Sequence, residues 1–253
     1  MENENNLEER FGKKAFFLYP SVVVQNQLIP ELAQQEYEVY AIKETKIFPK
    51  VLEKYPNSLV FINIDEGMPE KEWDTYIRSL LGKGYDIGVI STTNNENIQR
   101  KYINIVKVPC GFIHIKSDIN KSLSVIVNIL NSKNAKGRRK FIRASAEEDA
   151  TINIPFDGSY INGRIRDISV MGLSCFFSED PKWEKNSYLE NIQLKLQSQL
   201  LKAEGIVFGS RIEGPDKVYV LVFTQKVDPD TRSKIRKYIQ SNLQAKMDTE
   251  FAR

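Results

Sequence analysis

Histidine is almost missing from this 253-residue chain, with His114 the only one. Zinc sites built on imidazole and triads that need a histidine base lose most of their material with it. Cysteine is nearly as scarce: Cys110 and Cys175 stand far apart, so neither a disulfide framework nor a C-x-x-C motif is indicated. No apolar run reaches the roughly 18 residues that a membrane span requires. Met1 to Glu9 is acidic and Asn-rich rather than a basic leader. The expectation is a soluble, cytoplasmic protein with no membrane insertion. A large excess of one charge is missing too, since 36 Lys and Arg face 33 Asp and Glu for a net +3. A protein that coats nucleic acid normally shows a basic excess over a whole domain. No nucleic-acid polymer is therefore expected as a partner, and any anion site must be local.

What the chain does have is enough apolar material, 41%, for two modest cores. The first half alternates between buried-strand runs and helical periodicity. Lys14 to Tyr19 reads as a strand and Val22 to Gln35 as a helix that Pro30 interrupts or kinks. Glu38 to Ile42 and Thr45 to Tyr55 repeat the unit, and Leu59 to Ile64 is a third strand followed by a helix over Lys71 to Leu81. Ile87 to Ile90 reads as the fourth strand, Val106 to Ile115 as the fifth, and Ile119 to Asn131 as the last helix. This order implies an open parallel sheet with helices on both faces.

The second half changes period. Thr151 to Pro155, Tyr160 to Ile168, Leu173 to Phe177, Ile192 to Leu196, Leu201 to Phe208 and Val218 to Phe223 are short strands separated by turn residues. Six strands in so short a span suit an antiparallel barrel that closes on itself and leaves no edge. A helix over Arg232 to Gln244 closes it, announced by Asp228-Pro229-Asp230-Thr231. The expected organisation is an extended or disordered N-terminus over 1–12, an α/β domain over 13–131 and a basic linker over 132–146. A β-barrel with its helix follows over 147–245, and a tail over 246–253.

Two stretches carry candidate chemistry in the first half. Asp65-Glu66-Gly67-Met68-Pro69 follows the third strand, with Ser91 and Thr92 at the end of the fourth and Lys107 on the fifth. This set resembles the phosphoacceptor corner of response-regulator receiver domains, over about residues 13 to 131. Receivers also hold Mg²⁺ with an acidic pair after the first strand, because a phosphoryl group approaching a carboxylate needs a cation to offset the charge. Here that corner reads Leu18-Tyr19-Pro20-Ser21. A receiver-like shell that is not phosphorylated is the expectation, with Asp65 a strand-end or capping residue and a phosphorylation-regulated response regulator as the alternative.

The second candidate is split. Between Lys121 and Ser145 there is no acidic residue, while Lys133, Lys136, Arg138, Arg139, Lys140 and Arg143 gather on the linker. Asp167-Ile168-Ser169-Val170-Met171-Gly172 follows 24 residues after Arg143. A guanidinium grips phosphate oxygens or the O6/N7 edge of guanine with a planar fork. A carboxylate accepts from guanine's N1–H and N2–H₂, and a serine hydroxyl both donates and accepts. A glycine permits a tight turn and close approach. Arg139, Arg143, Asp167, Ser169 and Gly172 together resemble the RxxxR and (D/N)xSxxG signature of PilZ domains. The resemblance implies a receptor for cyclic di-GMP over residues 137 to 245. Arg138, just ahead of RxxxR, goes in that family with binding of an intercalated ligand dimer, its plane stacking on a guanine face.

The sequence thus implies a non-enzymatic effector with no metal and no cofactor beyond cyclic di-GMP as ligand, acting on a protein partner that the sequence does not identify. A ligand-independent PilZ adaptor is the rival reading. No nucleophile, base and orienter recur together, so an enzyme is the least supported class.

Overall fold

The structure, a computed structural model, describes residues 12–116 and 118–252. It divides into two compact units. The first takes in the described residues up to Lys140 and the chain from Met247 onward, and the second is Phe141–Lys246. The extended or disordered segment expected over 1–12 lies, apart from Gly12, outside the described residues.

The first unit is built on β1 (Ala15–Leu18), β2 (Val39–Ile42), β3 (Leu59–Asn63), β4 (Asp86–Ser91) and β5 (Phe112–His114). They form one all-parallel sheet in the order β2-β1-β3-β4-β5, a common doubly wound order. β1 and β3 are buried at every position, which explains their unbroken apolar runs, since a parallel sheet is covered on both faces. Phe17 packs with Leu28 of a π-helical segment (Val24–Leu28), with Leu32 of α1 (Ile29–Gln34) that continues it, and with Ile126 and Leu130 of α5 (Ile119–Ser132). Phe16, one residue earlier, meets Phe48 of α2 (Phe48–Lys54) edge-on at 6.2 Å between ring centroids. Each such buried phenylalanine contributes on the order of 1.5–3 kcal/mol. Pro30 sits in the first turn of α1 directly after the widened segment. The π widening accommodates the missing N–H without breaking the helical run.

One expected element differs. The fifth strand is three residues long, and Val106, expected to begin it, ends a helical stretch. α4 (Glu96–Arg100) starts at Asn95, whose side chain accepts from the N–H groups of Asn97 and Ile98, and continues as a π-helical segment, Lys101–Val106. Tyr102 and Val106, four apart, are buried on one face. Lys107 then adopts a left-handed conformation (φ 58°) and ends the helix rather than lying on a strand. The remaining helix, α3 (Glu70–Leu81), buries Trp73, Ile77 and Leu80.

The second unit holds the short strand β6 (Ala144–Ser145) and six longer ones: β7 (Thr151–Phe156), β8 (Ser159–Ser169), β9 (Gly172–Phe177), β10 (Tyr188–Leu196), β11 (Gln199–Glu213) and β12 (Asp216–Phe223). Pairings run β7–β8, β8–β9, β9–β12, β12–β11, β11–β10 and back from β10 to β7, all antiparallel. The sheet therefore closes into a six-stranded barrel filled by alternate residues such as Ile152, Ile154, Ile165, Cys175, Ile192, Leu194 and Leu221. α6 (Pro229–Phe251) closes it, burying Ile235, Tyr238 and Ile239 against this core. Asp228 caps the helix by accepting from the Thr231 N–H (2.8 Å) and hydroxyl (2.6 Å). α6 runs seven residues beyond the expected Gln244, because Ala245 to Phe251 holds no Gly or Pro and places Met247 and Phe251 one turn apart, both buried.

Candidate ligand-binding site

β8 and β9 form a hairpin with Val170 and Met171 at its tip. Ser169 lies opposite Gly172, Ile168 opposite Leu173, and Asp167 opposite Ser174. Gly172 is required by its other neighbour, β12. A Cβ there would lie 2.2 Å from the Leu221 carbonyl oxygen and 3.1 Å from the Val222 Cα, and backbone atoms cannot yield as a side chain can. The close approach that this glycine permits is therefore to protein backbone. Ser169 is buried and donates to the Gly172 carbonyl at 3.1 Å, which ties the two ends of the turn. From outside the hairpin, Arg232 of α6 donates to the carbonyls of Val170 (2.8 Å) and Thr224 (2.7 Å), so a charged group fixes the tip.

The register slips by one residue between Ile165 and Asp167, and this bulge decides what faces outward. Ile165 and Ile168 point into the core, while Arg166 is exposed and Asp167 is half-buried. Two consecutive side chains thus share the outer face, as a bulge allows and a regular strand does not. Beside them runs the end of the basic segment. Ala144 pairs with Ile168 and Ser145 with Asp167, and the Ala146 N–H donates to the Arg166 carbonyl at 2.8 Å. Lys246 holds the same segment by donating to the Ser145 carbonyl at 2.6 Å.

Arg143, the residue before β6, is thereby set against β8, and its Nη1 donates to Asp167 Oδ1 at 3.3 Å. The second carboxylate oxygen, Oδ2, accepts from the hydroxyl of buried Ser174. Asp167 is therefore aimed by a fixed neutral donor and paired with an exposed cation. An ion pair this open is worth about 0.2–1 kcal/mol, so an incoming ligand displaces or shares it at little cost. Of the residues expected in the site, Arg143, Asp167, Ser169 and Gly172 come together in the second unit. Arg138 and Arg139 are exposed and fall at the end of the first. Ser174 and Arg232 escaped the sequence reading. Ser174 was legible, because counting back across the Val170-Met171 turn puts it opposite Asp167. Burial, helped by the charge of Asp167, pushes the Cys175 thiol well above its usual range and leaves it an inert core group.

The corner around Asp65 is of another kind. Ser91 donates to its Oδ1 at 2.6 Å, and the Thr92 N–H and hydroxyl both donate to Oδ2 at 2.6 Å. The sequence-expected hydroxyl residues of β4 thus do meet Asp65. Where a metal-binding acidic pair would stand, Tyr19 has a left-handed backbone (φ 52°) and stacks edge-on against Trp73 at 6.0 Å between centroids. A Cβ on Gly67, itself at φ 85°, would lie 2.7 Å from the Tyr19 ring. Trp73 donates to the Glu66 carbonyl at 3.0 Å, and His114 Nε2 lies 3.2 Å from the Thr92 carbonyl. The residues do not fit a Mg²⁺ site, and among the described residues no cluster of three metal-ligating side chains occurs.

A family model described as "PilZ domain" matches residues 137–241. No curated protein sequence matches the chain. Similar solved structures include the PilZ domain of YcgR from Escherichia coli with cyclic di-GMP, at 15% identity and TM-score 0.39, covering 46% of this chain and 98% of that one. The MrkH–cyclic di-GMP complex of K. pneumonia gives 16% identity and TM-score 0.39, covering 47% and 57%. The Bacillus subtilis inhibitor of motility, MotI/DgrA, gives 14% and 0.36, covering 40% and 49%. The chain spans about half the length of the last two. The family match runs from before the arginine cluster, through the hairpin of Asp167 and Gly172, into α6, and residues 137–241 of this chain are a PilZ domain.

Proposed function

We propose that the chain is a cytoplasmic cyclic di-GMP effector with no catalytic step of its own. The ligand is taken by Arg138, Arg139 and Arg143 together with the hairpin of Asp167, Ser169 and Gly172. Its binding orders the basic segment on the barrel, changes the orientation of the two units and so alters contact with a protein partner. The observation that carries this reading is the Arg143–Asp167 pair, which sits at the outer face of a rigid hairpin with a guanidinium and a carboxylate side by side. A guanine nucleotide offers the complement of both: phosphate oxygens and an O6/N7 edge for the fork, and N1–H with N2–H₂ for the carboxylate. Among the described residues no helix is long and apolar enough to cross a membrane. YcgR and MrkH, whose structures hold cyclic di-GMP, support the choice of ligand.

Calorimetric titration of the full chain with cyclic di-GMP tests it, giving affinity and stoichiometry together. The wild type binds, and Arg143→Ala and Asp167→Ala each lose about 2–5 kcal/mol, the cost of stripping one member from a charged, hydrogen-bonded contact. Undiminished binding in both variants overturns the site. Solution scattering with and without ligand tests the change in orientation, and identical profiles overturn that part.

A further inference from the structure

Beyond the signature residues, a chain of charges continues along the outer face of the barrel. Arg166 faces outward by the alternation of β8, and the bulge that follows Ile165 brings Asp167 to the same face. Its Nη1 donates to Oε2 of Glu213, near the end of β11, while Nε of Arg211 donates to Oε1 of the same carboxylate. The side chains keep much of their surface open, 43% for Arg166, 49% for Arg211 and 35% for Glu213. The order of charges is thus Arg143, Asp167, Arg166, Glu213, Arg211, with two guanidinium groups sharing one acid at its far end. Hydrogen bonds from Arg166, and then from Arg211, hold the Glu213 carboxyl below its ordinary value, so it is ionised at neutral pH.

We propose that Arg166 is a further phosphate-binding residue of this site and that Glu213 is its latch, occupying the guanidinium until a phosphodiester replaces it. The inference rests on the cyclic di-GMP reading above. A cyclic dinucleotide carries two phosphodiesters, each a delocalised single negative charge with two unesterified oxygens, and one arginine fork serves one of them. Arg143 and Arg166 flank Asp167, one from β6's edge and one from the bulge, so a base held at Asp167 has a guanidinium on either side for its two phosphates. Glu213 presents the same pair of oxygens that a phosphodiester does. Exchange of carboxylate for phosphate therefore keeps Arg166 paired throughout, and frees Glu213 at the tip of the β11–β12 hairpin for a new contact.

Titration of the full chain with cyclic di-GMP reads out both parts. Arg166→Ala weakens binding by about tenfold or more, the loss of one charge-assisted contact. Arg166→Lys recovers only part of this, because a lysine keeps the charge without the fork. Glu213→Gln tightens binding by up to about fivefold, since it removes an exposed competing ion pair. Unchanged affinity in Arg166→Ala, or unchanged or weaker affinity in Glu213→Gln, overturns the latch while Arg143→Ala still weakens binding. If the wild type binds no cyclic di-GMP, the underlying reading falls with it. Thermal unfolding of Arg166→Ala separates a lost contact from a lost fold, and a melting temperature near the wild type's with weakened binding is the expected result.

Discussion

Asp65 and Asp167 are both carboxylates near strand ends, each gripped by hydroxyl groups, and they differ in who else comes. Asp65 has three neutral donors at 2.6 Å, all from Ser91 and Thr92. Asp167 has one buried hydroxyl, from Ser174, and one exposed arginine at 3.3 Å. The first arrangement satisfies the acid with fixed short contacts from neutral groups. The second keeps the acid aimed while leaving it a partner that can be exchanged. A side chain's type therefore says little about binding. The exchangeability of its contacts says more.

The comparison breaks most sharply at the ligand. Arg143→Ala and Asp167→Ala should each lose about 2–5 kcal/mol of cyclic di-GMP affinity by calorimetry, whereas Asp65→Ala should titrate like the wild type. Equal losses at both aspartates would erase the distinction. Next in size, Gly172→Ala places a methyl group 2.2 Å from the Leu221 oxygen, and overpacking against backbone should cost about 1–3 kcal/mol in urea unfolding. That loss would show that the glycine serves the barrel before it serves a ligand. Asp65→Ala should cost about 1 kcal/mol of stability, the usual worth of a hydrogen bond, because the Ser91 hydroxyl, which still accepts from the Thr93 N–H at 3.0 Å, is left with the 3.3 Å Thr93 carbonyl as acceptor for its own proton. Wild type incubated with acetyl phosphate and Mg²⁺ should incorporate no phosphate, and labelling at Asp65 would restore the receiver mechanism.

A third carboxylate calibrates the pair. Asp180 accepts from the Tyr219 hydroxyl, the Lys182 N–H and the Lys217 ammonium, which lower its pKa from 3.8 to about 2. A carboxylate depressed on folding stabilises the native state above its unfolded pKa, and that share is lost as pH falls through the folded one. Urea midpoints measured between pH 4 and 2 should therefore fall more steeply for the wild type than for Asp180→Asn. Parallel slopes would deny the shift.

Much of the fold was legible because its periods are strong. The apolar runs of β1 and β3 and the alternation along β7 to β12 need no tertiary information. The α4 helix was not, because Thr92 to Arg100 is polar and short, Asn95 as a cap is an ordinary loop residue, and the four-residue spacing of Tyr102 and Val106 falls only in the π-helical segment beyond it. Of the site, Arg143, Asp167, Ser169 and Gly172 were readable from residue type and spacing, and Ser174 by counting across the hairpin. The outward turn of Asp167, beside Arg166, was hidden. It depends on a bulge that neither glycine nor proline announces, so strict alternation gives the wrong partner for every residue on one side of it.

The two-residue strand β6 has a consequence for the length of the chain. Ala144 and Ser145 occupy the lane along β8 that β7 vacates beyond Thr151, which pairs with Arg164, and 146–150 span the step between them. In such a lane position is quantised at about 3.3 Å per residue, and the facing of side chains reverses with each step. One residue inserted between Arg143 and Ala144 would put the guanidinium out of phase with Asp167, while one inserted in 146–150 would only enlarge a loop. The opening stretch of the second unit is thus a graduated scale, and its zero mark is Asp167.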